Sequence, residues 1–301
     1  MTPDAVLRAA ELTQSPAWFP LEAAAADTLR FVFLDEAAYR EASFLDQRVL
    51  RSAPVGALVS ARVAQEAAAR LTPRLHYLFH IGHVGSTLVS RLIGGAQERF
   101  FSLREPALLR ALAAGSAAVL PLPSLLGLLA RTWRPSQRAV VKASSFVSEL
   151  AEPLLAGADE PRAIFMFAAP LAYLCTIFAG PNSRAESATL APLRLRRLVR
   201  RLGATQWRAD PRSEGEQVAM SWLCEMTCLH QAARQRPAHI LWLDFDRFLA
   251  EPRQALHRVF EALGDPQPPA EVEALLAGPI LRRYFPFILK PALNLLCNII
   301  G

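Results

Sequence analysis

Lysine is almost missing from this chain. Of its 301 residues only Lys142 and Lys290 are lysines, so the net charge of +6 rests on arginine and favours an anionic ligand. No aromatic-interleaved basic run accompanies that charge, which argues against nucleic acid as a partner. Cysteine is scarce as well. Four residues (Cys175, Cys224, Cys228 and Cys297) are too few for a disulfide framework. Cys224 and Cys228 lie four apart with His230 close by, but buried cysteines acting as small hydrophobes are the better reading, and no metal is expected. No basic segment followed by an apolar run opens the chain, so the reading is cytoplasmic. An unbroken membrane-spanning run is lacking too. Residues 111–130 are nearly uncharged, but Pro121, Pro123 and the Gly115-Ser116 pair interrupt them, so two buried helices joined at Pro121-Leu122-Pro123-Ser124 are expected.

What is present is a run of short apolar segments, each ending in turn chemistry. Residues 75–81 (LHYLFHI) are apolar or aromatic at nearly every position, which suits a strand buried on both faces. Gly82 and Gly85 bracket a tight turn, and Ser86-Thr87 open a helical pattern carried by Leu88, Val89, Leu92 and Ile93. A glycine turn between a buried strand and a helix start aims several backbone N–H groups at one point. The helix dipole adds positive potential there, and the two hydroxyls can donate as well. These residues form a candidate phosphate cradle. The loop of nucleotide triphosphatases needs Gly, four residues, then Gly-Lys-Ser/Thr; here Ser86 occupies the lysine position and His80 the first glycine position. Triphosphate hydrolysis of that kind is therefore disfavoured.

Four more strands are expected. Residues 99–103 precede Arg104-Glu105-Pro106, where proline suits a helix start and Glu105 falls at a strand's carboxyl end, the edge at which open α/β sheets bind ligands. Residues 138–142 end in Lys142, followed by Ser144 and Ser145, and residues 162–167 precede Pro170. Residues 239–243 lead into Asp244-Phe245-Asp246 and a helix stopped by Gly264. Strands alternating with helices argue a three-layer α/β/α fold with a mainly parallel central sheet. Earlier in the chain, residues 18–20 read as a packed loop, 29–34 as a strand, and 36–49 and 62–71 as helices, without a catalytic constellation. The arginines of residues 190–202 read as a solvated helix face. The division expected is an N-terminal extension over residues 1–70, an α/β domain over 71–278 and an apolar tail over 279–301. The tail is a candidate peripheral membrane contact, too short to span a bilayer.

Gly82-His83-Val84-Gly85-Ser86-Thr87 resembles the 5′-phosphosulfate loop of sulfotransferases, in which a strand leads into Pro-Lys/Arg-Ser-Gly-Thr/Ser-Thr and then a helix. His83 stands where that family usually has Lys or Arg. Residues 239–264 resemble the family's late signature of strand, Tyr/Phe-Glu/Asp-Asp-Leu/Phe, acidic-Pro, helix and Leu-Gly. The resemblance runs from about residue 75 to 264 and implies a P-loop-like α/β domain. It further implies transfer of a sulfuryl group from 3′-phosphoadenosine 5′-phosphosulfate to a hydroxyl or amine of a small-molecule, carbohydrate or lipid acceptor. Gly82, His83, Gly85, Ser86 and Thr87 would then hold the phosphosulfate, Glu105 would be the general base, Lys142 would meet developing charge, and His83 would be a competing base. The family's Arg-x-Pro grip on the 3′-phosphate is absent: Ala168 holds the Arg position, Thr176 keeps the hydroxyl, and Arg184 is the candidate substitute. Two other readings stay open, a sulfotransferase-fold protein that binds nucleotide or a partner without transfer, and a P-loop small-molecule kinase.

Overall fold

The computed structural model describes residues 7–51, 55–203, 213–236 and 239–283. The first helix, α1 (Ala9–Gln14), leads into an antiparallel sheet of β1 (Trp18–Ala25), β2 (Thr28–Phe33) and β3 (Gly56–Ser60). Between β2 and β3 lie α2 (Glu36–Glu41) and a 3-10 turn (Gln47–Arg51); α3 (Ala61–Ala68) follows. Residues 18–20 are thus a strand and not a loop. Pro20 is tolerated because β1 lies at the sheet edge, and the register slips between Pro20 and Glu22. The helix expected over residues 36–49 breaks after Glu41. Leu45 is buried there, its N–H donating to Arg104 O at 2.7 Å and its carbonyl accepting from Ala107 N–H at 3.0 Å. Those two bonds tie the segment before β3 to the edge of the main sheet.

The main sheet begins with β4 (Leu75–His80), followed by α4 (Ser86–Gly95), β5 (Phe100–Arg104), α5 (Ala107–Ala113) and α6 (Leu122–Leu129). Then come β6 (Arg138–Lys142), a 3-10 turn (Ser145–Leu150), α7 (Ala151–Gly157), β7 (Ala163–Phe167) and α8 (Pro170–Phe178). Two long helices, α9 (Pro181–Leu202) and α10 (Glu214–Gln235), precede β8 (Ile240–Asp244), α11 (Phe245–Ala250), α12 (Pro252–Ala262) and α13 (Pro269–Ala277). The proline-rich stretch expected to join two helices instead starts one. α5 stops at Ala113, Gly115 turns with φ +89°, and Pro123 sits in the first turn of α6, where its missing N–H costs no bond.

All five main strands are parallel, in the order β5-β6-β4-β7-β8. β4 and β5 are buried at every position, as strands covered on both faces must be. One face meets α4 and α12, through the Ser90–Ser102 hydroxyl pair at 2.7 Å and Phe100 stacked on Phe260 at 5.8 Å. The other meets α7, where Tyr77 donates to Leu154 O at 3.0 Å. The chain leaves β4 toward one side for β5 and later returns to its other side as β7. That reversal opens a crevice above the carboxyl end of β4, where α/β sheets bind ligands.

Candidate active site

The turn after β4 is built from left-handed backbone. Gly82, His83 and Gly85 have φ of +92°, +53° and +64°, so successive N–H groups curl toward one point. Glycine is required at position 85 on two counts. Besides its φ, a Cβ there would lie 2.0 Å from the ring of Phe245, at the start of α11. The late signature is thereby coupled to the cradle, since Phe245 lies against its floor while Asp244 caps α11 by accepting from the N–H groups of Asp246 and Arg247. Ser86 and Thr87 are the first residues of α4, whose first regular bond runs from Val89 N–H to Gly85 O at 3.2 Å. Their own N–H groups lie ahead of that bond, the usual anion-binding end of a helix.

Glu105 and Lys142 meet beside this turn. Parallel pairing places Arg104 opposite Lys142, so the residue after β5 reaches the end of β6. Glu105 has φ +53°, an uncommon conformation for a residue with a Cβ, and its N–H donates to Lys142 O at 2.7 Å. Lys142 Nζ donates to Glu105 Oε1, and Ser144 Oγ donates to Oε2 at 2.8 Å. The lysine is 1% exposed, and burial lowers its pKa while the Glu105 carboxylate opposes that shift. Strained backbone of this kind recurs at active sites and ligand clamps.

The cradle, Glu105, Lys142 and Ser144 line one cavity of about 530 Å³. Four of its walls were not apparent from sequence. Phe44 and Arg48 come from the segment pinned at Leu45, Arg110 from α5, and Glu186 from α9. His80 also lines it. Its Nδ1 accepts from Gly82 N–H at 3.1 Å, while burial, with Lys142 nearby, pushes its pKa well below the ordinary histidine range. It therefore anchors the turn as a neutral imidazole.

His83 lines the cavity with the rest of the turn and is contacted by α9, with Ser183 Oγ 3.2 Å from Nδ1 and Glu186 Oε2 3.5 Å from Nε2. The hydrogen bond from His83 lowers the pKa of Glu186. Thr176 and Arg184 are not brought to this cavity. Thr176 donates back to Ala172 O at 2.9 Å, and Arg184 makes a two-point pair with Glu214 at 2.6 and 2.8 Å on the surface.

The arginines of α9 are a solvated face only in part: Arg196 and Arg200 are exposed, whereas Arg194 and Arg197 are buried. Arg194 is buried, donating to Glu225 of α10 at 2.8 Å and to Ser145 Oγ at 3.2 Å. Arg197 donates to Phe146 O at 2.7 Å and to Ala113 O. Both grip the turn after β6, and Ser145 in turn lies against Gly82, where an added Cβ would meet it at 3.3 Å. The sequence pattern of arginine among leucine is the same for a buried clamp as for a wet face. Cys224, Cys228 and His230 do not converge: Cys228 donates to Ser148 O at 2.8 Å, and His230 lies against Trp242 at 4.6 Å. Among the described residues no group of three His, Cys, Asp or Glu side chains could hold a metal ion. No described helix is long and apolar enough to cross a membrane, and most of the apolar tail lies outside the described residues.

No protein-family model matches the chain, and no curated protein matches it. Solved structures do. The sulfotransferase domain from the curacin biosynthetic pathway is 15% identical over 70% of this chain and 80% of its own, with a TM-score of 0.46. A sulfotransferase from Alicyclobacillus acidocaldarius is 13% identical over 71% of this chain and 94% of its own, with a TM-score of 0.40. Retinol dehydratase, in complex with androsterone and inactive cofactor PAP, is 13% identical over 72% of this chain and 68% of its own, with a TM-score of 0.33. The chain is distantly similar to these three.

Proposed function

We propose that the protein transfers a sulfuryl group from 3′-phosphoadenosine 5′-phosphosulfate to an acceptor hydroxyl. The observation that carries this reading is a carboxylate and a buried lysine held against a left-handed glycine turn at the carboxyl end of β4. The turn suits a phosphate-like group, through N–H donors and the hydroxyls of Ser86 and Thr87. Its lack of a loop lysine disfavours a triphosphate. Glu105 takes the acceptor's hydroxyl proton as the new oxygen–sulfur bond forms, and each of its oxygens keeps acceptor capacity beyond the bonds from Lys142 and Ser144. Lys142 and the cradle donors meet the charge left on the phosphate when its bond to sulfur breaks. The side chains named from the family for the 3′-phosphate, Thr176 and Arg184, are engaged elsewhere. That observation favours, as the second reading, a protein that binds nucleotide without transferring anything.

Binding and transfer, measured on the parent and on one variant, separate the two readings. Glu105→Gln is expected to bind 3′-phosphoadenosine 5′-phosphate like the parent and to lose sulfuryl transfer by about 10²-fold or more. Full activity in that variant would remove Glu105 as the base. A parent chain that binds the bisphosphate but transfers no sulfuryl group to any acceptor would leave the second reading.

A further inference from the structure

A second cavity adjoins the first. It has a volume of about 540 Å³ and lies between the β1–β2 hairpin, α5 and the turn before α6, and it shares Arg48 and Arg110 with the cradle cavity. Its floor is aliphatic, drawn from Leu29, Leu108, Leu112, Val119, Leu120 and Leu125, without an aromatic side chain. Its carboxylates already have partners. Glu22 accepts from Gln47 at 2.9 Å and pairs with Arg30 at 3.1 Å, and Asp46 accepts from Arg48 Nε at 2.8 Å. Arg110 is held more loosely at the boundary, 4.0 Å from Asp46 and 5.7 Å from the Phe146 ring.

We infer that this cavity is the acceptor site and that the acceptor is an uncharged alcohol with an aliphatic body, an inference that rests on the transferase reading above. A sugar is held best by free polar groups and by aromatic faces to stack on; this lining has no aromatic face, and its carboxylates are already engaged by Gln47, Arg30 and Arg48. An aliphatic body removes apolar surface from water against the leucine floor, and the size matches ordinary small-molecule sites. The shared boundary then sets orientation. Arg110 donates to the hydroxyl oxygen, which leaves the hydroxyl hydrogen free for Glu105 across the boundary. The segment carrying Arg48 is fixed there by the two Leu45 backbone bonds, so the region before β3 forms part of the acceptor wall.

The test is calorimetric titration of the full chain with n-hexanol, n-octanol and glucose. Affinity should rise about fourfold per added methylene, the value of burying one CH₂ at roughly 0.8 kcal/mol, and glucose should not bind. Ala111→Leu, which adds bulk on the cavity side of α5, should weaken n-octanol binding about tenfold or more without changing binding of 3′-phosphoadenosine 5′-phosphate. An affinity that does not change with alkanol length, or equal n-octanol binding by Ala111→Leu, would overturn the acceptor assignment and leave the cradle untouched. Length-dependent alkanol binding in a chain that binds no bisphosphate would overturn the transferase reading, and the acceptor role with it.

Discussion

The two ends of α9 carry arginines that look alike in sequence and behave as opposites. Arg184, in the first turn, pairs with Glu214 in solvent. Arg194 and Arg197, about three to four turns later, are buried and hold the turn after β6 that supports Gly82. What separates them is desolvation. A guanidinium in water gains little from a carboxylate, whereas one taken out of water must be fully partnered, and its partners then depend on it. The same contrast divides the proposed site. Glu105 and Lys142 on the main sheet are buried, mutually bonded and tied to strained backbone, whereas Thr176 and Arg184 on the α8–α9 side are satisfied locally, away from the cavity.

The largest effect expected from breaking this contrast is at Arg194. Burial works against its charge and the Glu225 carboxylate more than offsets it, so its pKa is raised. Arg194→Met leaves Glu225 buried without its partner and should cost about 3–5 kcal/mol in denaturant unfolding. Arg194→Met with Glu225→Leu should recover most of that loss, since an apolar pair no longer buries a lone charge. If the single variant unfolds at the parent's denaturant midpoint, the clamp is not holding the β6 turn.

Burial also sets the next effect, at the far end of β4. His76 is 3% exposed and accepts from Arg162 N–H at 3.2 Å; burial, with Arg138 nearby, lowers its pKa to about 4. Above the ordinary histidine pKa both folded and unfolded chains hold this ring neutral, so its contribution is fully present. As pH falls, the unfolded chain takes up the proton first, and stability is lost down to about pH 4. The loss should be roughly 3 kcal/mol. His76→Asn keeps an acceptor for Arg162 and should flatten that part of the pH–stability curve. An unchanged slope in the variant would show that His76 is not the group responsible.

Arg184→Ala should do least. Its pair is exposed, and no change in melting temperature is expected. Weakened binding of 3′-phosphoadenosine 5′-phosphate in this variant would instead mean that Arg184 leaves Glu214 for the ligand, and the contrast between the two ends of α9 would need redrawing.

Much of the main sheet was legible because strands buried on both faces announce themselves as apolar runs closed by glycine, serine or proline. β4, β6 and the turn at Gly82 are of that kind. The fold around them was harder to read for physical reasons. β1 contains Pro20 and three alanines, poor strand formers that pair here because β2 supplies the partner. The helical pattern of residues 36–49 is broken by two backbone bonds to residues some sixty positions away, which no local window contains. Arg194 and Arg197 read as wet because nothing in α9 marks which face α10 covers. In the site, Glu105 and Lys142 were legible from their places at strand ends. Phe44, Arg48 and Arg110 were not, because chain topology rather than spacing brings them to the cavity.

The central claim is that the turn from Gly82 to Thr87 holds the phosphosulfate end of an adenosine nucleotide. Thermal unfolding of the full chain, alone and with saturating 3′-phosphoadenosine 5′-phosphate or ATP–Mg, tests it most directly. At about 100 times the dissociation constant a native-state ligand adds roughly 2.7 kcal/mol. A rise in melting temperature with the bisphosphate and none with ATP–Mg is the predicted result. A rise with ATP–Mg alone, or with neither nucleotide, would contradict it.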